Sequence, residues 1–132
     1  MATRIILDTN FLFVPSQFHL DIFEELDRLI GQHVEPLILS STLRELRKLA
    51  QSYSVKKSKQ ALLGLKLAEK CSVIEVRPKS DESNDDVILR TAVDTKCPVA
   101  TNDRELRKKL RAAGVSVVFL RQKSTLAVDG SV

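Results

Sequence analysis

Asp8 closes the strand-like run Arg4-Ile5-Ile6-Leu7, and Glu45 follows the apolar run Leu37-Ile38-Leu39. Asp86 opens an apolar helical pattern, and Asp103 follows Pro98-Val99-Ala100-Thr101. If these runs are parallel strands of one sheet, the four carboxylates meet at a single edge, beyond the strands' carboxyl ends. Clustered carboxylates without paired cations repel and raise one another's pKa. A hard divalent cation with oxygen ligands is the usual resolution. In an otherwise basic chain, of net charge +4 and pI about 9.2, that chemistry points to metal-assisted hydrolysis of a nucleic-acid backbone. The two-metal form needs ions roughly 4 Å apart held by shared carboxylates, one activating a water and the other stabilising the leaving oxygen. Mg2+ keeps several waters and takes few protein ligands, so three or four acids with polar helpers suffice. Thr9, Asn10, Thr101 and Asn102 are placed as such helpers, and Asp85 is a fifth acid beside Asp86. No histidine is required: His19 reads as helix-end packing and His33 as a surface-loop residue.

Each acid, taken singly, has an ordinary structural role. Asp103 can cap a helix. Thr42-Leu43-Arg44-Glu45 fits a capping box, and Glu45 has Lys48 three residues on as a helix-surface partner. Ser83 or Asn84 can cap a helix whose first turn favours Asp85 and Asp86, and Asp8-Thr9-Asn10 fits a turn. Jointly these roles give no reason for an acid at successive strand-to-helix junctions around one pocket. A basic face supports the substrate class: Arg104, Arg107, Lys108 and Arg111 recur at helical spacing, while Arg44, Arg47 and Lys48 surround Glu45. Positive charge beside an acidic pocket positions phosphates for attack, although most basic stripes are simply solvated helix faces. Base-stacking aromatics are scarce, with one Tyr and no Trp, so strong sequence reading is not expected.

The elements that must bring the acids together alternate along the chain. Strands are expected at 4–7, 37–40, 73–76, 98–101 and 116–120. They are short and continuously apolar, as strands buried on both faces are. Phe18, Ile22, Phe23, Leu26, Leu29 and Ile30 form a helical stripe closed by Gly31. Further helices are expected over about 41–52, 57–70, from 85, and 103–113. Repeated β-α units with short connections give a parallel sheet covered by helices on both faces, and ligands then sit at the strands' carboxyl ends, where strand order reverses. The 132 residues make one domain, taken as residues 1–121, followed by a small, polar, loosely held tail at 122–132. No apolar stretch approaches the ~20 residues that span a bilayer. The opening residues run straight into a strand with no signal peptide, so a cytoplasmic protein without a membrane partner is expected. Cys71 and Cys97 form no CxxC pair and have no nearby histidine, which excludes zinc and thioredoxin-like readings.

Asp8-Thr9-Asn10 after a strand, Ser40-Ser41 followed by Glu45-Leu46, Asp86-Val87-Ile88-Leu89-Arg90-Thr91-Ala92 and Ala100-Thr101-Asn102-Asp103-Arg104-Glu105-Leu106 together resemble the signature set of PIN-domain ribonucleases. The likeness covers nearly the whole chain. Asp8–Phe13, Asp21–Glu25 and Ala100–Leu106 further resemble the archaeal relatives of the small-subunit pre-rRNA processing nucleases. The resemblance implies a three-layer α/β/α sandwich around a parallel five-stranded sheet of order 3-2-1-4-5. It implies Mg2+- or Mn2+-dependent endonuclease chemistry on RNA carried by Asp8, Glu45, Asp86 and Asp103, with Asp86 preferred to Asp85 as the metal residue. The same strand order places Cys71 and Cys97 before non-neighbouring strands, so no disulfide is expected. Three roles compete: an endoribonuclease of rRNA or other RNA maturation, working with ribosome-assembly proteins; the toxin ribonuclease of a toxin–antitoxin pair; and a non-cleaving scaffold for RNA or assembly factors. A receiver-type phosphoacceptor domain is set aside, because Arg77-Pro78 follows the third strand where it would need an acid. A homodimer is expected, since related domains often pair and two-fold dimers are the commonest soluble assembly.

Overall fold

The computed structural model describes residues 3–132. Its sheet has six strands: β1 (Thr3–Leu7), β2 (Val34–Leu39), β3 (Ser72–Ile74), β4 (Val99–Ala100), β5 (Val117–Arg121) and β6 (Thr125–Asp129). The spatial order is β3-β2-β1-β4-β5-β6. The first five are parallel, and β6 pairs antiparallel with β5.

The continuous apolar runs are what a sheet covered on both faces demands. Ile5, Leu7, Ile38, Ala100 and Val118 point to one layer, and Ile6, Leu37, Leu39, Val99 and Val117 to the other. The first layer is closed by α1 (Val14–Phe18), α2 (Ile22–Ile30), α3 (Ser40–Ala50) and α4 (Val55–Ala68) through Val14, Leu26, Leu46 and Ala68. The second is closed by α5 (Asn84–Thr95) and α6 (Arg104–Ala112) through Val87, Ile88, Ala92, Leu106 and Leu110. The three-layer sandwich is therefore as the sequence implies.

Three details differ from the sequence reading. The sheet has six strands, not five, because residues 122–132 contain β6 and are not a loose tail: Leu126 is buried, and the ladder runs from Arg121↔Thr125 to Val117↔Asp129. The hairpin carries no glycine or asparagine signal; Gln122 and Lys123 themselves take positive φ, 53° and 64°. The first helical stripe is broken in two. Phe18 belongs to α1, which His19 ends at φ 54°, and Asp21 then caps α2 by accepting from the amides of Phe23 and Glu24 at 3.1 and 3.2 Å. Finally, β2 begins at Val34, with Pro36 opposite Ile5. Pro36 is tolerated because β3 pairs with β2 only from Leu37 onward. No helix among the described residues is long and apolar enough to cross a membrane.

Candidate active site

Strand order reverses between β1 and β4, and the first acid lies at that point. The Asp8 amide donates to Ala100 O at 3.0 Å, which carries the β1–β4 ladder up to the edge. Its side chain then turns inward and is buried. Oδ1 accepts from the Thr9 amide at 2.8 Å and Oδ2 from the Thr101 hydroxyl at 2.7 Å. Burial nonetheless pushes Asp8 up to about 6, against those two hydrogen bonds and with help from the charges of Asp85 and Glu45.

The neighbouring loops are stitched to this point by neutral side chains. Asn10 Oδ1 accepts from the Asn102 amide at 3.1 Å, tying the β1 loop to the β4 loop. Asn102 Oδ1 accepts from the Leu120 amide at 2.8 Å, tying the β4 loop to β5. Thr101 Oγ1 also accepts from the Asp103 amide at 3.1 Å. Thr101, Asn10 and Asn102 therefore act as framework. Among the described residues the Thr9 hydroxyl, which is buried, finds no hydrogen-bond partner, nor do those of Ser41 and Thr42 at the start of α3.

Asp103 caps α6, its Oδ1 accepting from the Glu105 and Leu106 amides at 2.9 and 3.2 Å. Among the described residues no hydrogen bond engages its other oxygen. Glu45 is in no capping box, because α3 starts at Ser40 and leaves Thr42 inside the helix. Its carboxylate instead accepts from the side-chain amide of Asn84, across from α5. Nothing in the spacing of the sequence singles out Asn84.

The two adjacent acids of α5 part company. Asp86, the residue expected to hold metal, completes a capping box with Ser83: its Oδ2 accepts from the Ser83 amide at 3.0 Å while its own amide donates to Ser83 Oγ at 3.2 Å. Those bonds with Ser83 hold Asp86 below the usual carboxylate range. Asp85, one position earlier, is raised by partial burial and by the charge of Asp103, which outweigh nearby Lys109. Asp8 feels the charges of Asp85 and Glu45, and Asp85 those of Asp103 and, more weakly, of its neighbour Asp86. Leaving out Asp86, which is engaged by its cap, these acids form an arc of Glu45, Asp8, Asp85 and Asp103. The Ser83-x-x-Asp86 spacing carried the signal, since in a capping box the third helical residue turns back to the cap.

The chain has 21 lysines and arginines, yet among the described residues no ion pair engages any acid of this arc. As placed, no three histidine, cysteine or carboxylate side chains among the described residues converge closely enough to hold a metal ion between them. The donors that line this edge are carboxylate, hydroxyl and amide oxygens, the set that Mg2+ and Mn2+ take. An Mg2+ ion needs only one or two of the carboxylates directly and meets others through its waters. An uncompensated buried Asp8 and an orphaned Thr9 hydroxyl beside it fit such an ion.

The cations border this edge in two ways. Arg44, Arg47, Lys48, Arg104 and Lys108 are exposed. Arg107 and Arg111 are not free: Asp129 on β6 takes Arg107 Nε at 2.9 Å and Arg111 Nε at 3.2 Å. Gly130, at φ 109°, lies directly under the Arg111 guanidinium, where a Cβ would fall 2.5 Å from Nη1. Cys71 and Cys97 are both free, and burial pushes the Cys71 thiol up to about 12, which leaves it unreactive.

The family described as PIN like domain matches residues 5–123. Ribonuclease VapC4 of Methanocaldococcus jannaschii is 31% identical over 130 residues, 98% of each chain. Ribonuclease VapC9 of Archaeoglobus fulgidus is 33% identical over 93 residues, 70% of this chain and 66% of that one. The solved PIN domain endonuclease Utp24 superposes with a TM-score of 0.81 at 26% identity, covering 98% of this chain and 92% of its own. A domain of a functionally unknown Methanocaldococcus jannaschii protein superposes with a TM-score of 0.66 at 22% identity, covering 99% and 96%, a likeness of fold alone.

Proposed function

The chain belongs to the PIN-like domain family, and from that premise we propose that it is a divalent-metal-dependent endoribonuclease hydrolysing RNA phosphodiester bonds. The observation that carries the reading is the arc Glu45–Asp8–Asp85–Asp103, left without an ion-paired cation among the described residues of a basic chain, around a carboxyl that burial and, to a lesser degree, its acidic neighbours push up to about 6. Like charges held together at a cost in stability mark a functional site more often than a structural one. The ribonuclease names of the two relatives favour RNA over DNA as substrate.

In this reading Asp8, Asp85, Asp103 and Glu45 hold Mg2+ or Mn2+, and Asp86 serves the helix terminus. The bound ion would supply Lewis acidity toward the scissile phosphate and a lowered pKa for a water. The chain's own groups do the positioning. Thr9 and Thr101 aim both oxygens of Asp8 and favour its ionised form. Asn84 orients Glu45 across the gap between α3 and α5. Arg104, Lys108, Arg44, Arg47 and Lys48 bring the phosphate backbone to the edge. The likeness to the PIN domain endonuclease Utp24 supports internal cleavage; RNA maturation as the setting, ribosome-assembly proteins as partners and a homodimer as the working form complete the proposal. The toxin role leaves this chemistry unchanged.

The test is incubation of structured RNA with the purified protein and Mn2+, with EDTA and the variants Asp8→Asn and Asp85→Asn in parallel. Metal-dependent internal cleavage lost in both variants is the expected result. Cleavage that persists in both would overturn the mechanism, and no cleavage by the parent under any metal would leave the scaffold role.

A further inference from the structure

Beside the acid edge lies a cavity of about 240 Å3 between the Thr101–Arg104 turn and the Arg121–Ser124 hairpin. It is lined by Thr101, Asn102, Arg104, Arg107, Phe119 and Arg121, with Gln122 at its rim. Thr101 belongs to both places, since its hydroxyl is the one donated to Asp8. We propose that this cavity is a subsite for one nucleotide of single-stranded RNA, its base stacking on the Arg107–Phe119 pair and its phosphate meeting Arg104 and Arg121. The inference rests on the endoribonuclease reading and adds to it where the strand lies and how one base is held.

Three observations carry it. The first is the platform. The Arg107 guanidinium lies over the Phe119 ring at 3.7 Å from its centroid, and its Nε is fixed by Asp129 at 2.9 Å. A free surface arginine samples many rotamers, whereas this one is held over the ring before any ligand arrives. Guanidinium and aromatic planes are the surfaces on which unstacked bases settle, without preference for sequence. The second is charge. Three guanidinium groups and no carboxylate line the cavity. Asp129 grips Arg107 from the other side, where Arg104, Arg107, Lys108, Arg111 and Asp129 border a separate groove of about 530 Å3. The third is the rim. Gln122 and Lys123 hold positive φ at the two central positions of the turn closed by the Ser124 amide on Arg121 O at 3.3 Å. Glycine and asparagine usually take such positions. Non-glycine residues kept there cost folding energy and cluster at ligand clamps. The turn brings the Gln122 amide, a donor and an acceptor, to the cavity mouth, within reach of a base edge.

The test is binding in EDTA, so that no strand is cut, followed by fluorescence anisotropy with two probes. One is an eight-nucleotide oligouridine, and the other is an abasic ribose-phosphate strand of the same length and charge. The wild-type chain is expected to prefer oligouridine about tenfold, the scale of one stacked base. Arg107→Lys keeps the charge and the reach to Asp129 but loses the plane. Phe119→Leu keeps an apolar strand residue but loses the ring. Each is expected to lower oligouridine affinity about tenfold and to leave the abasic strand within twofold. Arg121→Glu is expected to weaken both strands. If Arg107→Lys binds oligouridine as the parent does, or weakens both strands equally, the subsite is refuted; this variant decides the matter should Phe119→Leu fold poorly. An acidic polypeptide that displaces oligouridine but not the abasic strand would also refute it. The two readings fail separately. A chain that discriminates the probes but never cleaves RNA loses the nuclease assignment and keeps the subsite; one that cleaves without discriminating loses only the subsite.

Discussion

Removing the negative charge of Asp8 should make the metal-free protein more stable while abolishing its chemistry. Burial raises this carboxyl from 3.8 to about 6. Between those values the folded chain binds a proton that the unfolded chain has released, so stability falls as pH climbs through that window and the deficit is constant above it. A difference of roughly two pKa units at ~1.4 kcal/mol each sets a ceiling of about 3 kcal/mol. Asp8→Asn keeps the side-chain shape and an acceptor for the Thr9 amide but never ionises. Urea denaturation in EDTA at pH 8 should therefore show the variant more stable by about 1–3 kcal/mol, a midpoint shift on the order of 1 M urea. At pH 3.5 both chains carry a neutral group at this position and the gain should vanish. Added Mn2+ should close the gap at pH 8, because a ligand present at about a hundredfold over its Kd adds roughly 2.7 kcal/mol to whichever form binds it. A variant no more stable than the parent at pH 8, or equally favoured at pH 3.5, would refute the claim that the Asp8 charge is held at a cost.

Three further outcomes follow from the same geometry. Asp85→Asn should lower Mn2+-dependent cleavage by at least ~100-fold with little change in stability, whereas Asp86→Asn should lower the melting temperature through the lost capping box and leave most activity; the reverse pattern in side-by-side kinetics and melting curves would return the metal role to Asp86. Thr101→Val deletes the hydroxyl donated to Asp8 Oδ2. A hydrogen bond to a charged group is worth about 1.5–3 kcal/mol, so the Asp8 pKa should climb further. The acid limb of the pH–rate profile should then move up by about one unit, and an unmoved limb would remove Asp8 from the rate-determining ionisation. Charge reversal at the exposed pair Arg104 and Lys108 should weaken RNA binding several-fold and flatten its salt dependence by about two in slope. An unchanged slope in anisotropy titrations would make that stripe a solvated face.

How much of this was legible in the chain depended on which physical signal each feature uses. Asp8 and Asp103 were readable because each follows closely on a buried apolar run, Ile5-Ile6-Leu7 or Val99-Ala100, and in a parallel sheet the carboxyl ends of such runs share one edge. The layered core was readable for the same reason: Ile5-Ile6-Leu7 alternates between the two layers although every residue is apolar. The difference between Asp85 and Asp86 was half hidden: both suit a helix's first turn on charge, and the Ser83-x-x-Asp86 spacing is the one hint that the second bonds back to its cap. β6 was hidden because its turn forces Gln122 and Lys123 into positive φ, where sequence rules look for glycine or asparagine. Asp129 lies on that strand, so nothing in the spacing of Arg107 and Arg111 reveals that both are half-engaged by it.

The distribution of cations around the edge argues that the arc is maintained for binding. Arg107 and Arg111 are held by Asp129 and Arg90 by Glu82, while the exposed Arg28 sits on Glu24 and Glu25. Acids elsewhere on this chain therefore do find partners within reach. Lys109 is the one cation felt at Asp85, and its effect is outweighed by burial and by Asp103. The loops carrying Asp8 and Asp103 are cross-tied instead by Asn10, Thr101 and Asn102, neutral groups that fix position without neutralising charge. A structural role for the arc would be served as well by placing one arginine among these residues, and it would relieve the cost carried by Asp8. Under the proposed function the site receives its cation from solution and cannot be filled by one of its own, which makes the neutral cross-ties and the unpaired acids parts of one arrangement.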